Sequence, residues 1–135
     1  MLRAVCDTNI YISALNFGGI PGQILEYAQE GFLDLYISPP ILEEIQGVLS
    51  KKFRWPKADI LDAIFIIKGF TTMVYPTETV SVIINDPPDN RVLECAIAAE
   101  AQIIVSGDTD LKRLRKYKNI KIIGPREFLD RGWLK

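Results

Sequence analysis

At 135 residues and 48% hydrophobic, the chain has the size and apolar content of one domain, residues 1–135, with a sizeable core. It has no run of about 18 consecutive apolar residues and no N-terminal secretion pattern, so a protein without a membrane partner that stays in the cytoplasm is expected. It contains no histidine, which excludes Ser-His-Asp and Cys-His catalysis, His-based zinc sites and nucleases that use His as acid or base, and a net charge of -1 does not suggest a surface coated for nucleic acid.

In chain order, "LRAVC" (2–6) reads as a short buried strand, followed by helical spacing from Asn9 to Leu15, a turn at Gly18–Gly19, and a second helix at about 21–30 stopped by Gly31. "FLDLYIS" (32–38) is the second strand. "SPPILEEIQGVLSKKF" then places Ser38 at the N-cap and Pro39 at the first helical position, with an apolar stripe through Ile41, Ile45, Val48 and Leu49. "KADILDAIFIIKGF" (57–70) is a further helix, leading to a strand at about 71–75 and an extended stretch through "ETVSVII". A helix begins near "DPPDN", "QIIVS" (102–106) and "IKIIG" (120–124) are the last strands, and a short basic helix lies between them. "REFLDRGWL" closes the chain as a packing helix. Cys6 and Cys95 sit in apolar patterns without metal-like spacing and read as buried reduced thiols.

Strands linked by helices imply a three-layer α/β/α sandwich on a parallel sheet of about five strands. If strand four returns to the free side of strand one, the order reverses there, and ligands bind outside the carboxyl ends of the strands at that switch point. Asp7 follows strand one, and Asp108 follows strand four. In "ILEEIQGVL", steps of 100° put Glu44 at the border of the apolar stripe and Glu43 farther toward solvent. A solvated Glu pair early in a helix explains the same residues. In "DPPDN", Asp86 followed by Pro87 makes an N-cap and first-position pair, which leaves Asp89 without a required capping role. Asp108 is open to a capping role too, and Asp110 is a ligand, a neighbour of ligands or an acid at a helix start. Four carboxylates, Asp7, Glu44, Asp89 and Asp108, thus border one sheet edge. Like charges grouped there call for a cation, and hard oxygen donors favour Mg²⁺ or Mn²⁺. Two basic runs, "KKFRWPK" (51–57) and "KRLRKYKNIK" (112–121), are solvated faces or phosphate-binding surfaces.

"DTNIYISAL", "ISPPILEEIQGVL" and "DPPDNRVLECAIAAEAQIIVSGDTDL", in that order over nearly the whole chain, resemble the PIN domain, and more narrowly the compact prokaryotic VapC-like toxin components of toxin-antitoxin systems. The resemblance implies a ribonuclease that cleaves single-stranded or loop RNA with carboxylate-bound Mg²⁺ or Mn²⁺. It gives Asp7, Glu44, Asp89 and Asp108 the four acidic positions, with Asp7, Asp89 and Asp108 as leading ligands and Glu44 either ligating or orienting water. Asp110 takes an auxiliary acidic position, and Asn9 and Ser106 take polar supporting roles. Lys112, Arg113 and Arg115, with Lys52 and Arg54, are the candidates for holding RNA. A small antitoxin and a second copy of the chain are the implied partners. The alternative is a PIN-like binding or assembly module of little activity, and a phosphoacceptor receiver fits less well for want of paired acids early in the chain.

Overall fold

A computed structural model describes residues 1–83 and 85–130. Its elements are β1 (Arg3–Cys6), α1 (Thr8–Phe17), α2 (Gly19–Gln29), β2 (Asp34–Ile37), α3 (Pro39–Lys51), α4 (Lys57–Phe70), β3 (Thr71–Met73), α5 (Asp89–Ala98), β4 (Ile103–Val105), α6 (Thr109–Leu114), β5 (Lys116–Tyr117), β6 (Ile120–Ile123) and α7 (Pro125–Asp130). The sheet order is β3-β2-β1-β4-β6-β5. Among the described residues five strands run parallel, joined by crossovers, and only β5 is antiparallel, folded back on β6 through the residues between them. Helices flank this sheet as an α/β/α sandwich. β1 is paired on one side with β2 and on the other with β4, so the order reverses where expected.

Ala4, Val5 and Cys6 of β1 and all three residues of β4 are fully buried, as the central strands of a sheet covered on both faces must be. α3 adds Ile41, Ile45 and Leu49 to this core, spaced four apart and almost wholly buried, where it packs on α1, α4 and α5, each side chain contributing about 1.5–3 kcal/mol of apolar burial. Gly18, at φ +70, ends α1 in a conformation that other residues adopt at a cost, and α2 starts at once on Gly19. α4 occupies the span read from its periodicity.

Three local expectations are corrected. Ser38 stands at the N-cap of α3 but makes no capping bond through its side chain; Pro39 and Pro40 follow, and Pro40 removes one of the two N–H groups that a cap side chain can reach. The short basic helix is α6, but the sheet of about five strands gains a sixth: α6 ends at Leu114, Arg115 takes φ +58, and the chain enters the β5–β6 hairpin. The helix at "DPPDN" starts at Asp89, with Pro88 at the N-cap, instead of at Pro87. The closing helix packs through fully buried Phe128, and the rest of the stretch read as helical, 131–134, lies outside the described residues. Cys6 and Cys95 are buried free thiols, both pushed up by burial, Cys95 to about 12 with Ser38 acting to lower it. Among the described residues no helix is long and apolar enough to cross a membrane.

Candidate active site

β1 and β4 deliver their following residues side by side, tied by the Asp7 N–H bond to the Val105 carbonyl (3.1 Å). Asp7 caps α1: its Oδ1 accepts from the Ile10 N–H at 3.0 Å. Its Oδ2 accepts a hydrogen bond from the Ser106 hydroxyl. The same hydroxyl oxygen accepts from the Asp108 N–H at 2.9 Å, so Ser106, fully buried, links the two acids. Asp108 in turn caps α6 through one oxygen, accepting from Asp110 N–H (2.8 Å) and Leu111 N–H (3.1 Å). At Asp108 capping and clustering are therefore one geometry, not alternatives.

One oxygen from each of Asp86, Asp89, Asp108 and Asp110 lies within 4.8 Å of the others. Asp7, Asn9 and Glu44 line the adjoining cleft with Asp86 and Asp89, a cavity of about 190 Å³. Asp7 and Glu44 are outside the tight group of four. Glu44 is half-buried and Glu43 exposed, as the helix phase requires, and Asn9 is exposed on the cleft wall.

Asp86 is the acid that the sequence assigned to a cap. The structure uses its backbone instead: the Asp86 carbonyl accepts the Asp89 N–H at 3.0 Å, and a prolyl turn follows with Asn90 and Arg91 bonding back to Pro87 and Pro88. The carboxylate is thereby freed for the cluster. The available signal was the three-residue spacing of Asp86 and Asp89 across two prolines.

The cluster is electrostatically strained as it stands. Burial, then the neighbouring Asp108, then Asp86 and Asp7, push the Asp89 carboxyl from 3.8 up to about 8. Asp7 is raised to about 6, mainly by burial, although the bonds from Ser106 and Ile10 favour its charged form and hold it lower than burial alone would. Asp86 is raised by burial and by Asp108 and Asp110. Asp89 Oδ2 is buried with no hydrogen-bond partner. An all-oxygen donor set of excess negative charge with an orphaned buried oxygen is chemically suited to a hard divalent cation.

Two further residues, not singled out by sequence, hold Val80 and Ile83, upstream of Asp86. The Asn90 side chain bonds both the N–H (2.9 Å) and the carbonyl (2.8 Å) of Ile83, as a neighbouring strand would. Buried Glu94 accepts from the Val80 N–H at 2.8 Å and from Arg91 at 2.8 Å, while Arg91 reaches the Val80 carbonyl at 3.1 Å. α5 thus grips the extended stretch that leads into Asp86. Asn90 lies one position after Asp89 and could have been read as a buried clamp only by knowing what passed over it.

The candidate RNA-binding residues fall in separate places. Arg113 turns to the acidic group, with Nη1 3.3 Å from Asp110 Oδ1, whereas Lys112 and Arg115 line a different cavity with Lys116 and Lys121. Lys52 caps the end of α3, its ammonium 5.7 Å over the Phe53 ring, and Arg54 is exposed at φ +55.

A mostly parallel α/β/α sheet whose central strands bring acids together at the switch point defines the class of the molecule. Residues 3–110 match the family model described as PIN domain, and the chain belongs to the PIN domain family. It is 37% identical over an alignment of 148 residues to "Uncharacterized protein MJ1680" of Methanocaldococcus jannaschii, covering 96% of this chain and 90% of that one. Among solved structures it resembles VapBC2 of Rickettsia felis, bound to a DNA fragment from its promoter (TM-score 0.62, 19% identity, 91% of this chain and 98% of that one). It also resembles PAE2754 of Pyrobaculum aerophilum (TM-score 0.62, 11% identity, 96% and 88%). At these identities the two structures establish the fold they share with it.

Proposed function

We propose that this PIN domain, residues 1–135, is a VapC-like endoribonuclease that works with Mg²⁺ or Mn²⁺ in the cytoplasm on single-stranded or loop RNA. The observation that carries this is the set of four carboxylates within 4.8 Å, with Asp7 and Glu44 on the adjoining cleft. A bound divalent ion supplies a Lewis acid that acidifies water at neutral pH and offsets charge on a phosphate. Asp89 and Asp108 would hold it, flanked by Asp86 and Asp110. Asp7 would join as a ligand, since each of its oxygens accepts one hydrogen bond and keeps a lone pair. Ser106 fixes the direction of Asp7 relative to Asp108. Half-buried Glu44 would orient the attacking water, and Asn9 would bond the substrate, since both line the cleft.

Partners follow from the same family likeness. A small antitoxin would cover the acidic cleft, and a second copy would pair through α4, which exposes Leu61, Phe65 and Ile66. Asp62 and Lys68 stand three residues either side of Phe65, so an antiparallel pair of α4 helices sets each acid against the other copy's lysine.

The test is incubation of the purified chain with a mixed-sequence RNA pool in Mn²⁺, Mg²⁺ or EDTA, beside Asp89→Asn and Asp108→Asn, together with calorimetric Mn²⁺ titration of all three proteins. Cleavage should need the metal and vanish in both variants, which should also bind Mn²⁺ more weakly. A wild-type protein that leaves the pool intact with either metal would overturn the nuclease assignment.

A further inference from the structure

Beside the acidic cleft lies a larger groove of about 670 Å³, between α3 and the turn that opens α5. Glu44 and Val48 line both cavities, so groove and cleft form one continuous surface. Pro87, Pro88 and Val48 give the groove apolar walls, and Lys51 and Lys52 stand at the end of α3. From Glu44 to Lys52 the helix advances about 12 Å, room for a flanking nucleotide but not for a long strand. Both lysines are exposed, and among the described residues Lys51 has no ion pair. Arg91, the cation on the opposite wall, is already held by Glu94 and the Val80 carbonyl.

Gly47 lies in the middle of α3 and lines this groove. Glycine weakens a helix interior, yet a Cβ at this position would meet nothing within 4 Å and its φ is not positive. The chain's own packing does not ask for glycine here, and the helix surface facing the groove is bare at this position.

We infer that this groove is a subsite for one unstacked nucleobase beside the scissile bond, with Lys51 and Lys52 on the phosphate beyond it. The inference rests on the nuclease assignment of the adjoining cleft. Flat apolar walls suit the face of a base, two cations suit the backbone that follows it, and the shared residues join the base to the bond being cut. An acidic peptide would meet the same cations but has no flat ring to lay on the walls formed by Pro87, Pro88 and Val48.

Gly47→Gln fills the groove from a position where the added side chain has open space, so its melting temperature should equal or exceed that of wild type. Each protein is given a randomised RNA library with Mn²⁺, and the ends of the products are sequenced. Wild type should cut with a base preference at one position beside the break. Gly47→Gln should lose that preference and keep the others, and Lys51→Ala/Lys52→Ala should weaken binding without changing it. Anisotropy with a preferred labelled oligonucleotide in Ca²⁺ should show about tenfold weaker binding by Gly47→Gln, the scale of one lost base stack, with Mn²⁺ affinity unchanged. If wild type cuts the library and Gly47→Gln shows the same base profile and affinity, the groove holds no base, and a peptide as its occupant would give that result. If wild type cuts nothing, the nuclease assignment fails and this inference fails with it.

Discussion

Asp89→Asn should make the metal-free protein more stable, increasingly so as pH rises. The unfolded chain gives up the Asp89 proton near 3.8, and the folded protein gives it up only near 8. Between those values the folded state binds the extra proton, so stability falls as pH rises through the window. Each pH unit is worth about 1.4 kcal/mol for a fully retained proton, and the open cleft screens part of it, so about 2–4 kcal/mol is lost between pH 4 and 7. Asparagine carries no charge to desolvate and no like charge to set against Asp108 and Asp86. Urea unfolding in EDTA at several pH values should show a stability difference between variant and wild type that grows from pH 4.5 to 8. Added Mn²⁺ should then raise wild type, by about 2.7 kcal/mol at a hundred times its dissociation constant, and leave Asp89→Asn nearly unmoved. A difference that does not change with pH, or a variant less stable throughout by about 1 kcal/mol, would mean that Asp89 serves the helix start and not the cluster.

Glu44→Gln should slow cleavage of mixed RNA far more than Glu43→Gln, because only Glu44 borders the cleft; equal losses in gel assays would remove Glu44 from the site. Replacing Arg113 and Arg115 with Ala should reduce the log-log salt slope of RNA binding by about 0.7 for each phosphate no longer neutralised, measured by anisotropy in Ca²⁺. An unchanged slope would make the run a solvated face. The single variant Arg113→Ala should leave Mn²⁺ affinity unchanged or tighter in calorimetry, since it removes a cation competing for Asp110. Asn90→Ala should cost about 2–4 kcal/mol in chemical denaturation, because it strips partners from both the N–H and the carbonyl of buried Ile83. A loss below 1 kcal/mol would show that water or a shift of the stretch replaces them.

Much of this protein was legible in its residues. The periodicity of "KADILDAIFIIKGF" marks α4 from end to end, the apolar runs mark the central strands, and the phase of α3 separates Glu44 from Glu43. These are local signals: side-chain spacing repeats with the backbone that carries it. Asp7 and Asp108 could be placed at the switch point for the same reason, since alternating strands and helices restrict a parallel sheet to few orders.

Only the tertiary structure decided how the carboxylates are used. Asp7 and Ser106 are 99 residues apart, and their bond exists because β1 and β4 lie side by side. Asp86 looked like a cap because Asp-Pro is a good helix start, but the two prolines make a turn first, and Asn90 and Glu94 hold the incoming stretch from a helix whose sequence does not mention it. The basic run reads as one charged face, yet it divides within α6, where Arg113 turns to Asp110 while its neighbour Lys112 lines a cavity with Arg115, Lys116 and Lys121. Backbone periodicity is written residue by residue, whereas the direction of one carboxylate oxygen depends on which distant N–H or hydroxyl reaches it first.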